Sequence, residues 1–510
     1  VGRADPFTGY TFLLRVLAYG VIPAFGVWQF VRLRRAAHVF QLESYKPHWF
    51  RRWSREHRRR ALFLTPFRDA KKPLAMTGRV WRMTIAAAVL SVLLVYVPAG
   101  LAHLAGGAPY DLIVTGVMLL LVFIGAPYLL LAGDLAMRPL QKAINARYLK
   151  AARRKLSSVQ PLVIGITGSF GKTSAKFATE RLLGGPEVVL ATPESYNTTL
   201  GVSRTINESL RHRHRFLVVE MGARREGDVA DICRLVHPRI GVLTAIGPAH
   251  LESFGSLEAI RNAKFELIAA LPSDGVAVMN IDDREVRALA DATSHIRVVR
   301  YGIDESGAPD ISARDLATTK DGTALTVVDN RAGETLPVST RLLGRHAVGH
   351  LLAAVAVSIA AGRNLRDLAG SIADLEPIEH RLQILEGTGG VVVIDDAYNS
   401  NPAGAAAALE VLDRMPGRNK VVVTPGMVEL GPLQADANRE FGKLAGRVAD
   451  TLIVVAKVNR EAIVAGASEV DGAEVVVVDS LDEASDRLKT LLQAGDVVLF
   501  ENDLPDQYEI

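Results

Sequence analysis

The chain has 510 residues, with 59 Lys and Arg against 55 Asp and Glu and a single cysteine, Cys233. That length suits two or three soluble domains or a membrane part plus two, and one cysteine excludes disulfides within the chain and cysteine-rich zinc sites. The net charge of +4 hides a split: residues 1–155 carry 24 basic against 6 acidic residues, the remainder 35 against 49. The basic part lies beside apolar runs, so it points to a membrane surface and to no nucleic acid.

Three apolar runs, 10–31, 83–104 and 112–132, each approach the length of a bilayer-crossing helix. No Lys or Arg occurs from Met83 to Met137. The first run is interrupted by Arg15 and Pro23, although an arginine near a span's end can snorkel. It lacks a small-residue cleavage site and a basic segment follows it, which speaks against a cleaved leader. The loop 32–82 holds 15 basic and 3 acidic residues, which places it in the cytoplasm. Arg138, Lys142, Arg147, Lys150, Arg153, Arg154 and Lys155 follow the third run and agree with that side. The expectation is a multi-pass protein of the cytoplasmic membrane, with residues 1–155 as its membrane region and its catalytic domains in the cytoplasm. Trp49, Phe50 and Trp53 among the arginines read either as interfacial anchors or as a surface for anionic lipid head groups.

The next stretch is Gly165-Ile-Thr-Gly-Ser-Phe-Gly-Lys-Thr173, after the strand-like Pro161-Leu-Val-Ile and before a helical pattern. Strand, glycine-rich turn and helix make the context of a phosphate-binding loop. Gly168 and Gly171 let backbone N–H groups turn toward phosphate oxygens. Lys172 supplies a point charge, and the Thr173 hydroxyl can join the shell of a Mg²⁺ ion. The strict pattern asks for glycine where Ile166 stands; Gly165 is one place early.

From Pro161 onward short apolar strands alternate with helical patterns, which predicts an α/β fold with parallel sheets. Residues 297–345 alternate Thr, Val, Asp and Gly and predict a small antiparallel insert. A break near Leu375-Glu-Pro-Ile-Glu divides a block at 156–376 from one at 377–510. Polar residues stand just past strand ends, where open α/β sheets place ligands. Glu220 can hold Mg²⁺ across from Thr173 or cap a helix. His250 follows an apolar strand and reads as structural or functional. Lys264, on a helix, reads bare as a solvated lysine. Asp395 and Asp396, with Asn399, Asn401 and Pro402 behind them, read as a ligand loop.

The motifs combine. Thr167-Gly-Ser-Phe-Gly-Lys-Thr, Ser195-Tyr-Asn-Thr-Thr-Leu-Gly-Val, Val219-Glu-Met-Gly-Ala-Arg-Arg-Glu-Gly-Asp and Gly247-Pro-Ala-His-Leu-Glu-Ser-Phe-Gly-Ser come first. Ala263-Lys-Phe-Glu-Leu, Met279-Asn-Ile-Asp-Asp, Glu379-His-Arg, Asp395-Asp-Ala-Tyr-Asn-Ser-Asn-Pro and Gly426-Met-Val-Glu-Leu-Gly follow in order. This set, over roughly residues 160–510, resembles the ATP-dependent Mur ligase superfamily, and most closely its branch that adds D-alanyl-D-alanine to UDP-MurNAc-tripeptide.

The resemblance implies a P-loop central ATPase domain and a Rossmann-like C-terminal domain, preceded here by the three expected transmembrane helices. It implies an ATP-dependent, ADP-forming amide ligase acting through an acyl phosphate. Gly168, Ser169, Gly171, Lys172, Thr173 and Ser174 would bind nucleotide phosphates, with Arg381 and Asp396 reaching the nucleotide from the C-terminal domain. Thr173, Glu220 and His250 would hold Mg²⁺, and Lys264 is similar to the lysine that family members carbamylate. Asn197, Thr198, Asn399 and Asn401 would face substrate. The expected partners are ATP, carboxyl and amine substrates that are small molecules or lipid-linked, and membrane lipids; the oligomeric state stays open. The chain departs from the family pattern at His346-Ala-Val-Gly-His350, where two asparagines are usual, at Pro425-Gly-Met, and at Phe170. Two other readings stand beside the first: a membrane-attached ligase similar to the poly-γ-glutamate synthetases, and a degenerate ATP-binding scaffold.

Overall fold

The structure, a computed structural model, describes residues 7–42, 45–63, 73–106, 110–193, 196–319, 322–398, 400–455 and 457–503. The chain divides between Ala146 and Arg147 into two compact units.

The first unit is helical: Phe7–Leu42, Pro47–Glu56, Arg58–Phe63, Gly78–Gly106, Tyr110–Ile124 and the start of Ala126–Val159. Leu33, Ala37, Phe40, Phe50, Met83 and Leu130 form its core. A Cβ on Gly133 would lie 2.5 Å from the Met83 carbonyl oxygen, so glycine lets two helix backbones meet there. Among the described residues one helix, Gly78–Ala105, is long and apolar enough to cross a membrane, about 42 Å at the α-helical rise. The expected third span, 112–132, is not one helix. It is a pair, Tyr110–Ile124 and Ala126–Val159, bent by 79°. The expected first span, 10–31, falls in the helix Phe7–Leu42, whose side chains up to residue 23 lie outside the described residues. Among the described residues one such span is present, or two if the bent pair counts as one span; the side chains of the first expected span lie largely outside them.

The bend has a local cause. Pro127 has no N–H to give to the Phe123 carbonyl four residues back. Arg32, fully buried, donates to that carbonyl at 2.5 Å and also to Leu62 O. Its guanidinium lies 3.8 Å from the centre of the Phe123 ring. Gln29 Nε2 donates to Val122 O at 3.2 Å. The segment expected as a basic loop thus begins inside a helix, and its first arginine serves the packing.

The second unit holds two sheets. The central sheet contains β1 (Leu162–Thr167), β2 (Val189–Ala191), β3 (Phe216–Glu220), β4 (Ile240–Leu243), β5 (Val276–Asn280), β6 (Arg297–Tyr301), β7 (Ile311–Thr319), β8 (Gly322–Asp329) and β9 (Glu334–Thr340). Their order is β2-β3-β1-β4-β5-β6-β7-β8-β9, parallel as far as β7 and antiparallel after it. The antiparallel strands extend this sheet at its edge, and β6 pairs parallel with β5. Both faces are covered, which is why the inner strands read as unbroken apolar runs. Ile164, Ile166, Val218, Val242 and Val278 pack in one cluster with the helices Lys172–Leu182 and Gly344–Ala360; Val163, Leu217, Val219, Leu243 and Ala277 pack in another that includes the helices Asp228–Val236 and Leu257–Ala269.

The C-terminal sheet contains β10 (Gln383–Glu386), β11 (Val392–Asp396), β12 (Lys420–Thr424), β13 (Thr451–Val455), β14 (Glu474–Val478) and β15 (Val497–Glu501), in the order β10-β11-β15-β12-β13-β14. All neighbours but β10 and β11 run parallel. In the central sheet the chain leaves β1 toward β2 and β3 on one side and later continues to β4 on the other. The carboxyl ends of β1, β3 and β4 therefore border a switch-point crevice, the place where such sheets take ligands.

Candidate active site

The glycine-rich loop is only four residues, Gly168–Gly171, between β1 and the helix Lys172–Leu182. Gly165 lies within β1, where a Cβ would sit 2.7 Å from both Leu267 and Met221. The glycine that seemed misplaced is thus a packing residue. Gly168 has φ 153°, and a Cβ there would lie 2.0 Å from Thr244 Oγ1. Gly171 has φ 77°, and a Cβ would lie 2.4 Å from His350 Nε2. Side chains from β4's exit and from the helix Gly344–Ala360 press against the loop so closely that only glycine fits. Ser169 holds the loop down. Its Oγ donates to Gly247 O at 3.0 Å and accepts from Gly247 N at 2.9 Å.

Lys172 Nζ folds back to donate to Gly168 O at 2.8 Å and Ser169 O at 3.1 Å. Burial pulls its pKa down, the Glu220 carboxylate pushes it up, and Arg381 lowers it again. Thr173 Oγ1 donates to Glu220 Oε2 at 3.2 Å. Glu220, at the end of β3, is nearly buried and pairs with buried Lys176 at 3.0 Å. Asn197 Nδ2 reaches its other oxygen at 3.4 Å. Burial alone would raise the Glu220 pKa; Lys176 and Lys172 outweigh it and hold the group below its ordinary value. Lys176 was not singled out from the sequence. Its signal was there: four residues after Lys172 on a helix, it shares that residue's face.

Lys264 is only 3% exposed. Its amine, buried and facing Lys172, is lowered to a pKa of about 7. It is therefore not the solvated lysine that its local sequence allows. His250 has φ 56° and its Nδ1 meets Glu429 Oε2 of the C-terminal sheet's loops. One cavity of about 170 Å³ is lined by Lys172, Thr173, Asn197, Glu220, His250 and Lys264, together with Arg381 and Tyr398. Arg381 lies 4.4 Å over the Tyr398 ring.

A larger cavity of about 580 Å³ lies on the other flank of the loop. Phe170, Gly171, Ser174, Asn280, His346, His350 and Asp396 line it, and Arg381 borders both spaces. His346 and His350 stand edge to face with ring centres 5.8 Å apart. Burial lowers them to pKa values of about 4 and about 3, so both are neutral at pH 7. His346 Nδ1 is buried without a hydrogen-bond partner. Burial raises Asp396 to about 6, and its Oδ1 accepts from Leu382 N at 3.2 Å.

Two residues expected to face substrate also cap helices. Thr198 is exposed and caps the helix Thr199–Ser209, its Oγ1 accepting from Gly201 N at 3.3 Å. Asn401 caps Pro402–Arg414 through Gly404 N at 2.9 Å and lines the larger cavity, away from Asn197. Both stand at N-caps because a short oxygen-bearing side chain satisfies the first free N–H groups. Asn399 lies outside the described residues.

No group of three or more His, Cys, Asp or Glu suited to a metal occurs among the described residues. One carboxylate, one imidazole and a hydroxyl on one wall, beside a loop for phosphates, fit Mg²⁺. That ion keeps several waters and shares substrate phosphates.

The buried pair makes a prediction. Lys176→Met strands the Glu220 carboxylate and costs about 3–5 kcal/mol of stability, measured by denaturant titration of the nucleotide-free chain. Adding Glu220→Gln to it recovers most of the loss; no recovery would show that Lys176 matters through packing instead.

Residues 166–358 match the Mur ligase middle domain and 380–501 the Mur ligase glutamate ligase domain. The UDP-N-acetylmuramoyl-tripeptide–D-alanyl-D-alanine ligase of Mycobacterium leprae is 34% identical over 390 residues, covering 70% of this chain and 74% of that relative. The Escherichia coli ligase of the same name is 31% identical over 283 residues, 56% of this chain and 62% of the relative. The crystal structure of MurF ligase from Thermotoga maritima in complex with ADP superposes with a TM-score of 0.63 at 28% identity, covering 70% of this chain and 80% of that one. MurF from Acinetobacter baumannii does so with 0.63 at 25% identity, covering 70% and 77%. These likenesses and the site together define an ATP-dependent, ADP-forming ligase. The chain belongs to the Mur ligase family.

Proposed function

We propose that the chain joins a carboxyl group to an amine in cell-envelope synthesis, with a muramyl-peptide-type acid as substrate and a membrane as its place of work. One observation carries the reaction: Lys172, Thr173, Glu220, His250, Lys264 and Arg381 line a single cavity although they are spread over some two hundred residues of chain. The loop and Lys172 hold the phosphates. Thr173, Glu220 and His250 hold Mg²⁺, which when bound offsets negative charge on the phosphate oxygens. The acid seats beside Asn197, from where its oxygen reaches the γ-phosphate. Arg381 donates to the oxygens of the acyl phosphate and then of the tetrahedral adduct formed with the amine. The nucleotide base takes the larger cavity, where neutral His346 offers its unpartnered Nδ1.

Lys264 is proposed to be carbamylated. A neutral, buried amine attacks CO₂, its N–H proton leaves to solvent, and an anion results where a cation stood. That suits a site in which Lys172, Lys176 and Arg381 already crowd around one carboxylate.

Three observations support the membrane. The family matches begin at residue 166, and Ile85, Val89, Val92, Val97 and Leu101 on the apolar helix are each more than half exposed. A run of that size on a protein surface marks a lipid or protein partner. Arg51, Arg52, Arg55, Arg58 and Arg59 form an exposed cationic stretch in the same unit, suited to anionic head groups. The acid is accordingly proposed to be lipid-linked.

Detergent-purified chain should release ADP and phosphate only with both an acid and an amine acceptor present. Release of AMP would overturn the acyl-phosphate route. Flotation with anionic vesicles, and none after deletion of residues 1–146, checks the membrane reading.

A further inference from the structure

We infer that Glu429 is a positioning residue for the metal site: it orients His250 from the other domain, so the site is complete only when the C-terminal domain is docked. The inference rests on the ligase reading above and adds to it a residue that the cavity itself does not contain.

The pair joins positions 179 apart in the chain through His250 Nδ1 and Glu429 Oε2. Both residues have left-handed backbone, φ 56° and 65°, a conformation that side-chain-bearing residues adopt at a cost. Each is held there. His250 begins the one-turn helix Leu251–Phe254, whose Ser253 N donates to His250 O at 2.9 Å. The turn that carries Glu429 is tied by two buried asparagines. Asn438 accepts from Met427 N at 2.8 Å and donates to Met427 O at 2.9 Å. Asn459 Nδ2 donates to Pro425 O at 3.0 Å. Gly426, at φ 76°, leaves room for Asn438, since a Cβ would lie 2.4 Å from its Oδ1. A Cβ on Gly431 would come within 3.5 Å of Glu252 N, so the two turns abut.

A carboxylate on Nδ1 fixes which nitrogen carries the proton. The Nδ1–H donates to Glu429 and leaves the Nε2 lone pair for the cavity that His250 shares with Thr173 and Glu220. Carboxylates placed in this way behind a metal-binding imidazole set its tautomer and ring angle. The pair is not built for stability. Both side chains are part exposed, 36% and 23%, where an ion pair contributes little. Two held, left-handed residues are a costly way to make a weak surface pair and a reasonable way to aim an imidazole. Because the carboxylate comes from the other domain, metal affinity and domain docking must favour each other.

The test is Mn²⁺ binding to the full chain by electron paramagnetic resonance, with a non-hydrolysable ATP analogue present. Glu429→Ala should weaken Mn²⁺ about 10–100-fold. Glu429→Gln, whose amide oxygen still accepts the Nδ1–H, should keep most of the affinity. In a His250→Ala background Glu429→Ala should add less than about twofold, because the residue acts through the imidazole. A cooperative thermal unfolding transition, followed by circular dichroism in chelator, should be seen in all five proteins, which shows that each is folded. An unchanged Mn²⁺ affinity in Glu429→Ala, or the same loss with and without His250, overturns the inference alone. Failure of the unaltered chain to bind Mn²⁺ with the analogue overturns the ligase reading with it.

Discussion

Lys264→Ala is expected to lower turnover by about 10²–10³-fold, the scale of losing one preorganised charge at a reacting centre, and short carboxylic acids supplied in the buffer should restore part of it. The reasoning starts from burial. An amine that is 3% exposed and faces Lys172 is held near a pKa of about 7, far below an ordinary lysine. Above that pH it is chiefly neutral and can add CO₂. The carbamate provides the carboxylate that the variant lacks, so a small acid can occupy its place. The sign of the pH dependence follows. Activation of decarbonated enzyme by bicarbonate should rise as pH increases through about 7, whereas a solvated lysine would need pH near 10. Stability should move the same way. The unfolded chain binds a proton on Lys264 up to its ordinary pKa of 10.5 and the folded chain only up to about 7. Stability therefore rises with pH across that window. An unaltered chain that binds ATP without turnover, and a Lys264→Ala chain that binds it equally well, would instead favour an ATP-binding scaffold.

Lys172→Met is expected to lower turnover at least about 10³-fold, within the range that one transition-state cation commands in phosphoryl transfer. Binding of a fluorescent ATP analogue should weaken far less. The structure gives the reason for the split. Lys172 Nζ is engaged by the carbonyls of Gly168 and Ser169, so reaching phosphate means exchanging those partners. The ground-state gain is thus partly offset, and the transition state, with more charge on oxygen, keeps the larger share. Methionine retains the apolar stem and leaves the loop backbone in place. Turnover within tenfold of the unaltered chain would show that the loop is not where phosphate is transferred.

Legibility in the sequence varied with distance along the chain. The phosphate loop was plain, since strand, turn and helix lie within twenty residues and Gly168 and Gly171 announce positive φ. Glu220 was readable as a strand-end carboxylate, because β3 is an unbroken apolar run ending in it. Lys264 was readable only through family resemblance. Its helix reads Ile260-Arg-Asn-Ala-Lys-Phe-Glu, and nothing in that string shows that the fold closes over the lysine. Thr198 and Asn401, expected to face substrate, also cap helices, and the sequence does not separate the two purposes because one residue type serves both. The 112–132 run looked like one span. Pro127 ends it, and apolar composition alone does not register a missing N–H.

Composition and periodicity by themselves determined the α/β class, the apolar helix Gly78–Ala105 and the strand, glycine turn and helix around Gly168–Gly171. These follow from short-range causes: which backbone angles a residue tolerates, which face of a helix or strand is apolar, and where a charge cannot go. Tertiary structure alone decided that Lys176 neutralises Glu220, that Arg32 serves a carbonyl left free by Pro127, and that Glu429 meets His250. Those pairings depend on which groups lose water together, and that is set by contacts between segments far apart in the chain.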